Sequence, residues 1–315
     1  MPNKKQSAGF FPETTAFFRG LFHMPPPPPR TVRELRRAIA AAGLRHDDCV
    51  ERSELERRYD DALIIKRDAP ADTEIELALV TAGAAVLAVI DRVRCLCVGS
   101  VTPELVVVIY HGYGAHGVEF AQLAALLCER VLPRRLQIVL PQCPKGRNWF
   151  DLDVTKYLYA QMVGDAAKAR VVRATPKGVP EMRRQQQRFL AAVCRRAHIR
   201  FSQLCLAGFS QGAMVAVDVA LDLPETCAGV VALSGFVMCV EDWARKLQRH
   251  PGLRFLQLHG LEDRTIPYYT APWLRDLLAT NGASVTFLPH AGGHESGPTN
   301  HILGFIAGLL PGRCH

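Results

Sequence analysis

No stretch of the chain approaches the roughly 18 consecutive apolar residues that a bilayer-spanning helix needs, which excludes that class of protein. The start has no basic region followed by an apolar core and a small-residue cleavage site, so no secretory signal is expected. Cysteine pairs of disulfide-framework type are also missing. The ten cysteines fall at irregular spacings in a chain of 315 residues, a pattern that predicts reduced, mostly buried thiols and a cytoplasmic protein. The leader has few arginines and carries Glu13, which makes it a poor mitochondrial presequence. Cys95 and Cys97 form a C-x-C, not the spacing of a zinc site, so they read as strand residues. No metal and no cofactor are expected.

Apolar residues make up 49% and charged residues 22%, enough for a sizeable core in one large domain or one domain with a small attachment. The net charge of +8 is local. Residues 168–200 contain ten basic residues, from Lys168 to Arg200, and a single acid, Glu181. Met182, Phe189, Leu190 and Val193 recur at near-helical spacing, so Pro180–Ala197 reads as an amphipathic helix with an arginine-rich outer face. Such a face is either solvated or offered to an acidic or membrane surface. Aromatics are not interleaved with the arginines, which argues against nucleic acid as the partner.

Residues 1–30 end in the run Pro25–Pro29 and read as a flexible leader with a short polyproline spacer. Residues 31–66 differ in composition. Thr31 with Glu34 three residues on forms a capping box, and Val32, Leu35, Ile39 and Leu44 make an apolar stripe that Gly43 can end. A second helix, capped by Ser53 or a neighbouring Asp, is predicted to run to about Leu63. The stretch from Thr31 to Leu55, with its Cys49-Val50-Glu51-Arg52-Ser53-Glu54-Leu55, resembles the SAP-like helix-loop-helix unit at the C-terminus of ARMET-type proteins. That resemblance implies an adaptor role.

From residue 72 onward short apolar runs alternate with amphipathic segments. Leu105–Tyr110, Leu136–Leu140, Leu204–Ala207, Gly229–Leu233, Arg254–Leu258 and Val285–Leu288 read as strands. Such alternation predicts an α/β fold, a mostly parallel sheet with helices on both faces, over residues 72–315. Ala82–Ile90 fits either strand or helix.

Gly208-Phe209-Ser210-Gln211-Gly212 is a G-x-S-x-G placed between a strand and a helix. In that setting the serine sits on a sharp elbow at the carboxyl edge of the sheet. A serine hydroxyl needs a base, and a base needs an orienting carboxylate. Asp263 follows the strand 254–258, with Glu262 as its competitor. His294 follows the strand 285–288 in a Gly292-Gly293 loop, with His290 and His301 as alternatives. An oxyanion needs two N–H donors. Gln211, just after the serine, and Tyr113, in His111-Gly112-Tyr113-Gly114-Ala115, are the candidates.

These motifs, with Asn148-Trp149-Phe150-Asp151 between them, resemble the phospholipase/carboxylesterase family of α/β-hydrolases, which includes acyl-protein thioesterases and lysophospholipases. The resemblance runs from about residue 104 to 310. It implies Ser210 as nucleophile, Asp263 as acid, His294 as base, Tyr113 and Gln211 as oxyanion donors, and Trp149 and Phe150 beside the substrate cleft. It also implies an ester or thioester of a small acyl compound, a lipid or an acylated protein as substrate. The H-G-Y-G-A form is closer to bacterial-type esterases than to animal thioesterases. A non-catalytic binding or adaptor protein on the same scaffold is the alternative, and the complete triad argues against it.

Overall fold

The computed structural model describes residues 31–67, 80, 85–130, 135–143, 148–152 and 163–310. The expected leader and its proline run lie outside these residues.

Two expected features of the sheet set its geometry. The first is runs of Val, Leu and Ile too short for helices, which become buried strands. The second is strand alternation, which sends successive side chains to opposite faces. Eight strands form one sheet: β1 (Ala85–Ile90), β2 (Val93–Gly99), β3 (Leu105–Tyr110), β4 (Leu136–Pro141), β5 (Leu204–Phe209), β6 (Gly229–Leu233), β7 (Arg254–Gly260) and β8 (Ser284–His290). Their order is β1-β2-β4-β3-β5-β6-β7-β8. From β4 to β8 every pairing is parallel, while β1–β2 and β2–β4 are antiparallel. Asp91 and Arg92 turn the β1–β2 hairpin with φ of 46° and 66°, the left-handed pair whose twist suits a two-residue turn. The ambiguous Ala82–Ile90 segment is therefore strand where it is described.

On β3, Val106, Val108 and Tyr110 face one core and Leu105, Val107 and Ile109 the other. The first core is closed by α5 (Val179–Ala197), α6 (Gln211–Ala220), α7 (Val240–Leu247) and α8 (Ala271–Thr280). The second is closed by α3 (Ala121–Arg130) and α9 (Thr299–Ala307). A further helix, α4 (Asp165–Arg173), precedes α5.

The N-terminal segment is a helix pair, α1 (Val32–Ala40) and α2 (Arg52–Arg67). The capping box forms as the spacing requires: Thr31 Oγ1 accepts from Glu34 N, and Glu34 accepts from Thr31 N. The start of α2 differs from expectation. Glu54, not Ser53 or an Asp, accepts the N–H groups of Val50 and Glu51, at 2.7 and 3.0 Å. Ser53 lies inside the helix and donates to Glu51. A glutamate has the reach to cap from within the first turn, which a serine at that position lacks. Leu35, Ile39, Cys49 and Leu55 make a small core of their own. Ala62 and Ile65 of α2, with Ala42, instead join the second sheet core beside Leu87 and Leu96. The pair is thus stitched onto the β1–β2 hairpin.

The arginine-rich face of α5 is less free than its sequence suggests. Arg183 turns inward and grips the buried Asp218 through both carboxylate oxygens, at 2.7 and 2.6 Å. Trp243 Nε1 donates to the same carboxylate at 2.7 Å. Arg184 pairs with Glu181 and Arg188 with Asp91. Of the neighbouring cations, Arg173 pairs with Glu241 and Lys177 with Asp151.

All nine cysteines among the described residues are buried thiols. Among these residues no helix is long and apolar enough to cross a membrane, and no three His, Cys, Asp or Glu side chains group as metal ligands would.

Candidate active site

Three loops leave the carboxyl ends of β5, β7 and β8 and meet. The first is the β5–α6 elbow. Ser210 adopts φ 54° and ψ −119°, a conformation costly for a residue with a side chain. Surroundings hold it there. Ser210 N donates to Leu233 O of β6 at 2.8 Å. A Cβ on Gly208 would lie 2.1 Å from Gly212 O, and one on Gly212 would lie 2.1 Å from Tyr110 O. Both glycines are therefore required by contact, and the serine is pushed out of the sheet edge.

The second loop carries Asp263, whose side chain is fully buried. Its Oδ1 accepts from the N–H groups of Thr265 and Ile266 at 2.9 and 2.8 Å. Its Oδ2 lies 2.7 Å from His294 Nδ1. Glu262 is exposed.

The third loop carries His294. Gly260 packs against it so closely that a Cβ would come 2.1 Å from Gly293 O. With Nδ1–H donating to Asp263, His294 Nε2 is left as an acceptor, and it lies 3.0 Å from Ser210 Oγ. His290 instead accepts from Gly292 N at 3.2 Å, and His301 is exposed on α9. Of the three histidines weighed, His294 alone meets the serine.

Tyr113 lines the cavity that holds Ser210, and Gln211 follows the serine at the start of α6. Gln211 opens α6, so its N–H is one of those a helix start leaves unpaired. Gly112 and Tyr113 wall the cavity in which Ser210 lies. The loop that carries Tyr113 is held from behind by His111, which is fully buried. His111 Nδ1 donates to Gly112 O at 2.8 Å, and its Nε2 accepts from Cys143 N at 3.3 Å. Burial pulls its pKa down to about 4, because a cation there would be desolvated. The ring is therefore neutral with one tautomer fixed by its partners. Gly114 N donates to Asn148 Oδ1 at 3.1 Å, a further tie on the same loop.

Trp149 and Phe150 were expected beside the substrate. The structure places them behind the site. They are 6% and 4% exposed and are not part of the cavity wall. Trp149 Nε1 donates to His111 O at 2.8 Å, and Trp149 N donates to Gln211 Oε1 at 3.1 Å. Gln211 Nε2 donates to Phe150 O at 2.8 Å. Their polar backbone and indole groups need partners when buried, and those partners are the His111 carbonyl, two residues before Tyr113, and the Gln211 side chain. The pair braces the site rather than lining it.

The cavity holding Ser210 and His294 has a volume of about 370 Å³. Leu152, Met214 and Phe236 separate it from a second cavity of about 410 Å³ and line both. The second is walled further by Val171, Ala174 and Pro176, at and just after α4. Sequence reasoning missed these wall residues. They come from unconnected segments, and only Met214, close behind the nucleophile, had a positional cue.

A serine, an imidazole and a buried carboxylate in one hydrogen-bonded line, at the carboxyl edge of a mostly parallel sheet, define the site of a serine hydrolase with the α/β-hydrolase fold. Comparison with known proteins agrees. The phospholipase/carboxylesterase family model matches residues 97–301, well over half of the chain, and the chain belongs to that family of ester hydrolases. Acyl-protein thioesterase 1 of Mycosarcoma maydis is 22% identical over 233 residues, covering 68% of this chain and 94% of that protein. Among solved structures, esterase PE8 is 24% identical with a TM-score of 0.54, covering 68% of this chain and 97% of its own. The carboxylesterase from Mesorhizobium loti is 18% identical with a TM-score of 0.54, covering 71% and 99%.

Proposed function

We propose that the protein cleaves carboxylic ester or thioester bonds of acyl substrates through Ser210, His294 and Asp263. The observation that carries this reading is the unbroken line from Asp263 Oδ2 to His294 to Ser210 Oγ, opening onto a largely apolar cavity. Ser210 Oγ attacks the acyl carbon while His294 Nε2 takes its proton. The N–H groups of Tyr113 and Gln211 receive the oxyanion. Asp263 stabilises the imidazolium, which then protonates the leaving alcohol or thiol. Water, activated by the same imidazole, releases the acyl group from Ser210.

The apolar cavities suit the acyl chain, and the Mycosarcoma relative supports a thioester among the substrates. The intact triad favours catalysis over a non-catalytic scaffold. In the same reading, residues 31–66 are a SAP-like adaptor attached to a hydrolase domain over residues 72–315, and the enzyme works in the cytoplasm. The cations of residues 168–200 that lack buried partners would face an acidic or lipid surface.

The test is Ser210→Ala. It should abolish fluorophosphonate labelling and lower turnover on p-nitrophenyl and acyl-thioester substrates by on the order of 10⁴- to 10⁶-fold in a folded protein. A labelled, active Ser210→Ala protein refutes the assignment. Thiol alkylation of the wild type is the control, and activity should survive it.

A further inference from the structure

A second imidazole stands behind the carboxylate of Asp263. His259, the penultimate residue of β7, is completely buried. Its Nε2 lies 2.8 Å from Ile266 O and 3.4 Å from Asp263 Oδ2. A carbonyl can only accept, so Nε2 carries the hydrogen and donates to it. The same nitrogen lies 3.4 Å from the carboxylate oxygen Oδ2, so its N–H dipole acts on that oxygen without a second full hydrogen bond. Among the described residues His259 Nδ1 is buried and has no partner.

The connections close a small ring. Ile266 N donates to Asp263 Oδ1, and Ile266 O accepts from His259. Thr265 N fills Oδ1 further. The loop carrying the carboxylate is therefore tied to β7 through one imidazole, and Oδ2 is left facing two rings, His294 at 2.7 Å and His259 at 3.4 Å.

Charge decides what His259 can do there. A cation at this position would compete with the His294 imidazolium for the one oxygen. Burial lowers the pKa of His259, and nearby His294 and His290 act in the same direction, while Asp263 and the Ile266 carbonyl oppose them. The ring of Tyr268 packs beside it, 6.2 Å between centroids. A neutral donor at this place orients the carboxylate without drawing its charge away from His294.

We propose that His259 is a positioning residue for the reaction, holding Asp263 Oδ2 toward His294 by a buried, neutral N–H. This rests on the triad reading above. Space filling alone would make any ring of similar size sufficient, and that is what the test separates.

His259→Phe keeps a ring and removes the N–H, whereas His259→Gln restores a neutral donor. Loss of the hydrogen bond to the Ile266 carbonyl, together with the N–H dipole 3.4 Å from the carboxylate, predicts a fall in kcat of about 10-fold for His259→Phe, with KM nearly unchanged. His259→Gln should recover kcat to within about 3-fold of wild type, because it returns a donor of the same kind. In proton NMR, the low-field signal of the His294–Asp263 hydrogen bond should be present in wild type and His259→Gln and lost or shifted upfield in His259→Phe. His259→Leu is the second variant should His259→Phe not fold. The proposal is overturned if a folded His259→Phe or His259→Leu protein keeps wild-type kcat and the low-field signal, or if His259→Gln is as impaired as His259→Phe. Fluorophosphonate labelling of wild type and its loss in Ser210→Ala test the triad separately. A normal result there with no effect at His259 refutes only the positioning role.

Discussion

Acid should loosen this protein, with the largest single histidine contribution coming from His111. In the folded state its pKa is lowered to about 4 from the ordinary 6.5. Between those two values the unfolded chain binds a proton at this site and the folded chain does not. Unfolding is then favoured by proton uptake, so the contribution of neutral His111 is complete above pH 6.5 and is lost as the pH falls toward 4. One proton is worth about 1.4 kcal/mol per pH unit, so the window amounts to about 3 kcal/mol. That is a large share of the roughly 5–15 kcal/mol that stabilises a typical domain.

The effect has a local expression too. A protonated His111 loses the lone pair that receives Cys143 N, and the loop bearing Tyr113 loses part of its support. The assay is urea denaturation of wild type and His111→Asn at several pH values from 7 to 4. His111→Asn should be less stable at pH 7, and the stability gap between the two proteins should shrink as the pH falls. His250 and His259, also lowered by burial, titrate in both proteins and cancel in the difference. A gap that stays constant from pH 7 to pH 4 refutes the argument.

Asp263→Asn should cut turnover by about 10⁴-fold, as loss of the orienting carboxylate does in a serine triad, while the exposed Glu262→Gln should leave it within about 2-fold, as a surface substitution away from the site does; steady-state kinetics on a soluble ester decides between them. A protein starting near Thr73 should still hydrolyse that ester. It should also unfold several degrees lower, because removing Ala62 and Ile65 uncovers Leu87 and Leu96, each worth about 1.5–3 kcal/mol when fully exposed. An unchanged Tm would mean that the helix pair contributes nothing to the sheet, and a folded but inactive protein would place it in the acyl site.

Some of the site was legible because its chemistry needs particular backbone space. Gly208 and Gly212 leave a signature around Ser210 since no other residue fits those contacts. Near His294 the required glycine is Gly260, where an added Cβ would lie 2.1 Å from Gly293 O, while Gly293 itself has room for a side chain. The choice between Asp263 and Glu262 was only leaning in the sequence, because adjacent carboxylates differ by which way a loop turns. Trp149 and Phe150 were misread for a related cause. An apolar aromatic beside a cleft and one bracing it from behind have the same sequence, and only the partners of the indole and the backbone tell them apart. In the fold, the parallel strands were readable from short β-rich runs. Ala82–Ile90 was not, since a continuous apolar run has no period to distinguish strand from helix. The cap of α2 differs from expectation because the glutamate at its third residue, Glu54, reaches the N–H groups of Val50 and Glu51.

The buried thiols have a use that none of the catalytic residues share. Burial pushes the Cys97 thiol up to about 11 and that of Cys227 to about 12, and raises Cys95 and Cys205 as well. A thiol so placed reacts only when its surroundings open. The cysteines happen to sample the molecule element by element. Cys49 sits in the core of the helix pair, Cys95 and Cys97 in the hairpin, Cys128 in α3, Cys205 in the central strand and Cys239 at the start of α7. The native chain therefore carries its own set of opening reporters. The order in which they become alkylated would rank the elements by local stability, with no label introduced and no residue changed.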